Sequence, residues 1–184
     1  VTGELVHLSF DGVDDPSGKR EGDATAGPTL LISSGGSDRP LRRVPHGSGL
    51  ALDLDGESFL DQGDTAKFTF FDSLSIAAWV FVRSGVEAGI VSRMDDTFES
   101  SGYSLHLKDG RVQAAFARRW LDDSLRVETT STLETARWYH VLLTYDGSRR
   151  ADGIKIYVDG EAQTLRYLVD DLNQDFATAS PLRI

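Results

Sequence analysis

The stretch SLHLKDGRVQAAF, residues 104–116, constrains this chain more than any other. A two-residue turn at Asp109-Gly110 sets Lys108 opposite Arg111, Leu107 opposite Val112, Leu105 opposite Ala114 and Tyr103 opposite Phe116. The large apolar side chains then share one face, while His106 and Gln113 share the other. A slip of one residue would turn the whole apolar set outward, so pattern and turn select the same register. A chain that encodes a hairpin this firmly is committed to antiparallel sheet.

Other segments read the same way. ELVHLSF, residues 4–10, alternates Val6, Leu8 and Phe10 against His7 and Ser9, as a half-buried strand does. Residues 11–48 are rich in Gly, Asp, Ser and Pro around TLLIS at 29–33, which predicts long loops with one or two short strands. GLALDLDG alternates Leu50, Leu52 and Leu54 up to Asp55-Gly56. SLSIAAWVFV (73–82) and RWYHVLLTYDG (137–147) are apolar on both faces, the pattern of central strands covered above and below. That pattern makes Trp79 and Trp138 core residues. GIKIYVDGEAQTL places a second Asp-Gly turn at Asp159-Gly160, with a return strand that alternates poorly. Ile90, Val91, Met94 and Phe98 fall at helical spacing, so 88–98 is open to a short amphipathic helix as well as a strand. Strands punctuated by turns every ~8–12 residues predict an all-β fold, a two-sheet antiparallel β-sandwich in a single domain over 1–184.

Acidic residues outnumber basic ones by 29 to 19, a net charge of −10 that repels phosphate backbones, and no basic stripe offsets it. Nucleic acid is therefore not an expected partner. There is no cysteine, which removes disulfides, zinc-thiolate sites and thiol catalysis together. No apolar run approaches the ~20 residues that span a bilayer as a helix, so no membrane insertion is expected.

The strand order GLALDLDGESFL, SLSIAAWVFV, GYSLHL, RWYHVLLTYDG, IKIYVDG and PLRI resembles the laminin G-like domain of the concanavalin A-like lectin/glucanase superfamily. It is similar in particular to the bacterial type found in large secreted multidomain proteins. The signatures W-Y-H-V-x-x-T-Y-D-G and I-Y-V-D-G, at this spacing, carry the resemblance. It implies a jelly roll with one concave sheet, and a secreted, periplasmic or cell-surface setting. Family members continue past PLRI with a Gly-rich loop and a strand close to F-x-G-x-I-D-D-V-R-I-Y, paired beside the first strand. The resemblance thus implies a domain truncated at its C-terminus, within a longer parent protein. Strand 4–10 would lack a neighbour, and a bare edge invites self-association.

Asp95 and Asp96 stand where calcium-binding branches of the superfamily carry an acidic pair. Calcium takes ~6–8 oxygens, and adjacent carboxylates with backbone carbonyls supply part of such a set. The resemblance implies that the remaining ligands come from beyond Ile184, with Asp11 as a lesser candidate beside the same missing strand. The plain alternative is a solvated loop tip continued by Glu99, Ser100 and Ser101. In ARRWLDDSLRVE, residues 117–128, Trp120 lies between Arg118 and Arg119 on one side and Asp122 and Asp123 on the other. A ring for a sugar's C–H face with charged groups for its hydroxyls is how small polar ligands are held. The alternative is an edge-covering Trp among local ion pairs, each worth ~0–1 kcal/mol at an exposed surface.

Catalysis finds little support, because the superfamily's glucanases place carboxylates at E-x-D-x-E spacing on one strand face and no such motif occurs here. His140, inside W-Y-H-V, is expected to be structural, with its ring satisfied within the sandwich. The sequence thus points to a non-catalytic binding module for a glycan or a protein ligand. A structural or protein-interaction module and a diverged glycan hydrolase or lyase are the alternatives.

Overall fold

The computed structural model describes residues 30–33, 42–47, 49–56, 58–83 and 87–184. The strand expected at 4–10, its bare edge and Asp11 lie outside the described residues. Contacts divide the chain into two compact units, Val1–Ala66 with Pro181–Ile184, and Lys67–Ser180.

In the first unit, β1 (Leu30–Ser33) pairs antiparallel with β4 (Ser58–Asp61), and β2 (Arg42–His46) with β3 (Gly49–Asp53). PLRI closes on the free side of β4. Leu60 and Ile184 exchange backbone hydrogen bonds of 2.7 and 3.0 Å, and the Gln62 N–H donates to the Leu182 carbonyl at 2.8 Å. Leu60 and Leu182 are buried there.

The second unit is a sandwich. One sheet, in the order β12-β11-β10-β5, contains β5 (Leu74–Val82), β10 (Arg137–Tyr145), β11 (Ile154–Val158) and the two-residue β12 (Glu161–Ala162). The other runs β13-β9-β8-β7-β6, from β6 (Glu87–Met94), β7 (Gly102–Lys108), β8 (Arg111–Arg119), β9 (Asp123–Thr129) and β13 (Leu165–Asp171). The β7–β8 register is the expected one, Lys108 opposite Arg111 through Tyr103 opposite Phe116. Asp109 and Gly110 have φ of 51° and 75°, the paired positive values that a tight hairpin turn with matching twist requires. Asp159 and Gly160 repeat the device at 51° and 84°, and the weak return strand is β12.

Between the sheets lie Tyr103, Leu105, Leu107, Val112, Phe116, Leu125 and Val127 from one side and Tyr139, Val141, Leu143 and Tyr145 from the other, all buried. The Phe116 ring spans the gap, 4.6 Å from that of Tyr145 between centroids. The Tyr145 hydroxyl donates to the Phe70 carbonyl at 3.0 Å and accepts the Arg149 N–H at 2.9 Å, fixing both ends of a loop.

One alternative left open by the sequence is settled, and two expectations need correction. Residues 87–94 form a strand and not a helix, with a bulge between Gly89 and Val91. The bulge inserts a residue into the alternation, which turns a period of two into apparent helical spacing. First, Trp79 is not core. Among the described residues β5 ends its sheet, and Trp79 and Phe81 point away from the other sheet, 58% and 42% exposed. Second, Trp138 and His140 share that outer face, half-buried, with the His140 ring 5.2 Å from Trp79 and Trp138 5.4 Å from Phe81. An apolar pattern on both faces marks surface removed from water only when a layer covers each face, and the sequence of one strand cannot specify the second layer.

Candidate functional site

The outer face of the five-stranded sheet carries a polar relay. Across β7, β8 and β9, side chains at paired positions point the same way, so Ser104, His106, Gln113 and Glu128 line up. The Ser104 hydroxyl lies 3.3 Å from His106 Nδ1, and His106 Nε2 lies 3.2 Å from Gln113 Oε1. Gln113 Nε2 donates to Glu128 Oε2 at 2.7 Å. Arg166 of β13 donates to Glu128 Oε1, and Arg111 Nε stands 3.9 Å from the same oxygen. Two donors thus converge on one buried carboxylate, and two cations flank a single anion.

Burial pushes the His106 imidazole below its usual 6.5, against the opposing pull of the Gln113 hydrogen bond and of Glu87. The unfolded chain therefore binds more protons than the folded one just below pH 6.5, and His106 draws stability from the fold that is lost as pH falls through that range. Urea midpoints at pH 7.5 and 5.0 are expected to fall less on acidification in His106→Gln than in the native protein. Equal losses in the two proteins would contradict a buried neutral imidazole.

At the end of β8 the same face continues into the turn 120–122. Here the Arg126 guanidinium of β9 sits 4.5 Å over the Trp120 ring. Arg118 donates to Ser101 Oγ at 2.6 Å and approaches Glu99 at 3.9 Å, while Arg119 pairs with Asp122 at 2.9 Å. The Trp120 N–H donates to the Glu99 carbonyl at 2.8 Å, so the loop 95–101 and the Trp120 turn lie against one another. The two segments singled out in the sequence are neighbours in space. Asp123 stands apart from them. It is 1% exposed, and its Oδ1 accepts the N–H groups of Asn173 and Gln174 at 2.7 and 3.2 Å, a task of holding backbone.

Asp95 closes its own loop. Its Oδ1 accepts both the N–H and, at 2.5 Å, the hydroxyl of Thr97, and its N–H donates to Ser101 O at 2.9 Å. Among the described residues no three His, Cys, Asp or Glu side chains gather as metal ligands, around Asp95 and Asp96 or elsewhere. One Asp95 carboxylate oxygen is thus committed to Thr97 within the loop. A cavity of about 230 Å³, bounded by Phe68, Tyr103, Phe176 and the buried Arg93, is below the ~300–1,000 Å³ usual for small-molecule sites. None of the sequence-predicted site residues lines it.

A laminin G-type family model, described as the Concanavalin A-like lectin/glucanases superfamily, matches residues 55–184, more than two thirds of the chain. The chain belongs to this family. No protein of curated function matches it in sequence. Among solved structures, a botulinum neurotoxin serotype D binding domain superposes with a TM-score of 0.56 at 15% identity, over 96% of this chain and 41% of that one. The serotype G binding domain gives 0.53 at 17% identity, over 96% and 44%. A serotype D ligand binding domain in complex with N-acetylneuraminic acid gives 0.55 at 15%, over 95% and 41%. This chain therefore spans less than half the length of the structures it resembles, and at these identities the likeness establishes the concanavalin A-like sandwich fold alone.

Sequence reasoning singled out Trp120 and its charged neighbours but missed Arg126 and the Glu128 relay. A signal was present: His106 and Gln113 share the polar face of the hairpin, and extending that register one strand further places Glu128 beside Gln113.

Proposed function

We propose that this domain is a non-catalytic binding module that holds a glycan on the outer face of its five-stranded sheet, at Trp120. The observation that carries this reading is the stacked Trp120–Arg126 pair, on the same sheet face as the hydrogen-bonded row His106, Gln113 and Glu128. An indole gives a sugar ring an apolar surface, and fixed donors and acceptors beside it give orientation. Of the residues predicted from sequence, Arg118 and Arg119 frame the turn through Ser101 and Asp122, while Asp123 is committed to the backbone of Asn173 and Gln174. Glu128, held by two hydrogen-bond donors and flanked by Arg111, is an anchor of the sheet face and not one of a pair of catalytic carboxylates. The neighbour in complex with N-acetylneuraminic acid is consistent with glycan binding on this fold, and no more than that. An exported protein is the setting this reading takes, on the family resemblance.

A second reading has its own observation. Trp79, Phe81, Trp138 and His140 form an aromatic strip on the outer face of the four-stranded sheet. Exposed apolar patches of this kind mark protein contacts, so a protein ligand or a neighbouring domain on that face is the alternative.

The test is a glycan array followed by calorimetry with Trp120→Ala and Trp79→Ala. Glycan affinity is expected to fall about tenfold or more in Trp120→Ala, the loss of ~1.4 kcal/mol or more of stacking, and to persist in Trp79→Ala. Loss in Trp79→Ala alone would move the site to the aromatic strip, and no glycan bound by the native protein would leave the protein-contact reading.

A further inference from the structure

We infer that the Trp120–Arg126 site is built for an acidic sugar, with the Arg126 guanidinium as the receptor for its carboxylate. This rests on the glycan reading above and names the ligand class. Each of the other arginines on this face has an anion or a carbonyl to meet. Arg111 and Arg166 share Glu128, Arg111 also donates to the Thr129 carbonyl at 3.0 Å, Arg118 faces Glu99 and Arg119 faces Asp122. Arg126 differs from all four. Its Nε is closed to solvent against the Trp120 face, and among the described residues its two terminal Nη groups carry no hydrogen bond or ion pair and are not buried. Burial is the one influence on its pKa, which it pulls below the usual guanidinium value.

A guanidinium carries its N–H groups around its edge, so stacking on an indole leaves the edge to grip a planar carboxylate with two parallel hydrogen bonds. The indole meanwhile offers the sugar ring an apolar neighbour.

The experiment compares hexasaccharides of galacturonate, mannuronate and hyaluronan with their carboxyl-reduced counterparts, by calorimetry on the native chain, Arg126→Gln, Arg126→Lys and Trp120→Ala. The ¹⁵Nε resonance of Arg126 is followed in parallel. At least one acidic hexasaccharide is expected to bind about tenfold or more tightly than its reduced form, and to shift the Arg126 Nε signal. Arg126→Gln is expected to bring its affinity down to that of the reduced form. Arg126→Lys should recover part of the preference, and Trp120→Ala should weaken both forms. Equal binding of acidic and reduced forms by the native chain would overturn the acidic-sugar assignment and leave the glycan reading standing. A preference that survives Arg126→Gln would overturn Arg126 as its source. Absence of binding to every acidic and neutral glycan would overturn both proposals.

Discussion

Phe116→Ala is expected to lower the unfolding free energy by about 3–5 kcal/mol, the range for emptying a fully enclosed aromatic site. Phe116 is 0% exposed, and its ring meets three others, Tyr145 at 4.6 Å, Phe176 at 5.4 Å and Tyr103 at 6.4 Å. Tyr145 belongs to the facing sheet, so the truncation removes the ring that spans the sandwich as well as apolar area. Collapse of the space is resisted because Tyr145 is pinned at its hydroxyl by Phe70 and Arg149 and cannot follow. Phe116→Leu, which keeps most of the volume, is expected to cost under about 1.5 kcal/mol beyond its own transfer difference. Urea unfolding measures both. Phe81→Ala, on the outer face of β5 and 42% exposed, is the comparison. If Phe116→Ala cost no more than Phe81→Ala, the sandwich interior would be misassigned.

The fold was legible where a turn and an alternation agreed. Asp109-Gly110 fixed the hairpin register because a pair of positive φ values and a single buried face admit one pairing. Legibility stopped where the layer above a strand decided the outcome. Val80 and Trp79 look alike in sequence, yet one faces the second sheet and the other stands 58% exposed. Hydrophobicity reports which residues tolerate burial, and the chain's own topology decides which are buried.

The candidate site was legible by residue type and opaque by partnership. Trp120 among charges stood out in the sequence, and so did Asp95-Asp96, but their adjacency depends on the Trp120 N–H reaching the Glu99 carbonyl, 21 residues back along the chain. Asp122 and Asp123 are consecutive and chemically identical, and one pairs with Arg119 in solvent while the other is buried under backbone donors. The boundary of the strand separates them, since Asp122 lies in the exposed turn and Asp123 is the first residue of β9. The Arg126 assignment lay beyond sequence altogether, because what distinguishes it from four neighbouring arginines is the acceptor it lacks.

Gly102→Ala is expected to cost about 3–5 kcal/mol, and to disturb the candidate site as well as the core. Gly102 has φ of +136°, and a Cβ there would stand 2.0 Å from the Arg93 carbonyl oxygen and 2.6 Å from the Met94 Cα. Both are backbone atoms of the paired strand, so no side chain can swing aside. The cost combines ~1.5–2.5 kcal/mol for the backbone conformation with ~1.5–2.5 kcal/mol for forcing β6 and β7 apart, both within the usual ranges. Gly89→Ala on the same strand pair meets nothing within 4 Å and has an ordinary φ, so it is expected to be neutral or slightly stabilising. Gly102 also follows directly on Ser101, whose carbonyl holds the Asp95 N–H and whose hydroxyl donates to the Arg118 carbonyl at 2.9 Å. Displacing β7 here therefore shifts the loop 95–101, and through the Glu99 carbonyl the Trp120 turn. In a ¹H–¹⁵N spectrum the Trp120 indole signal is expected to move in Gly102→Ala while those of Trp79 and Trp138, on the other sheet, stay. Movement of all three with no loss of stability would contradict this path, because the strain would then be spread through the fold instead of concentrated where the loop meets the strand.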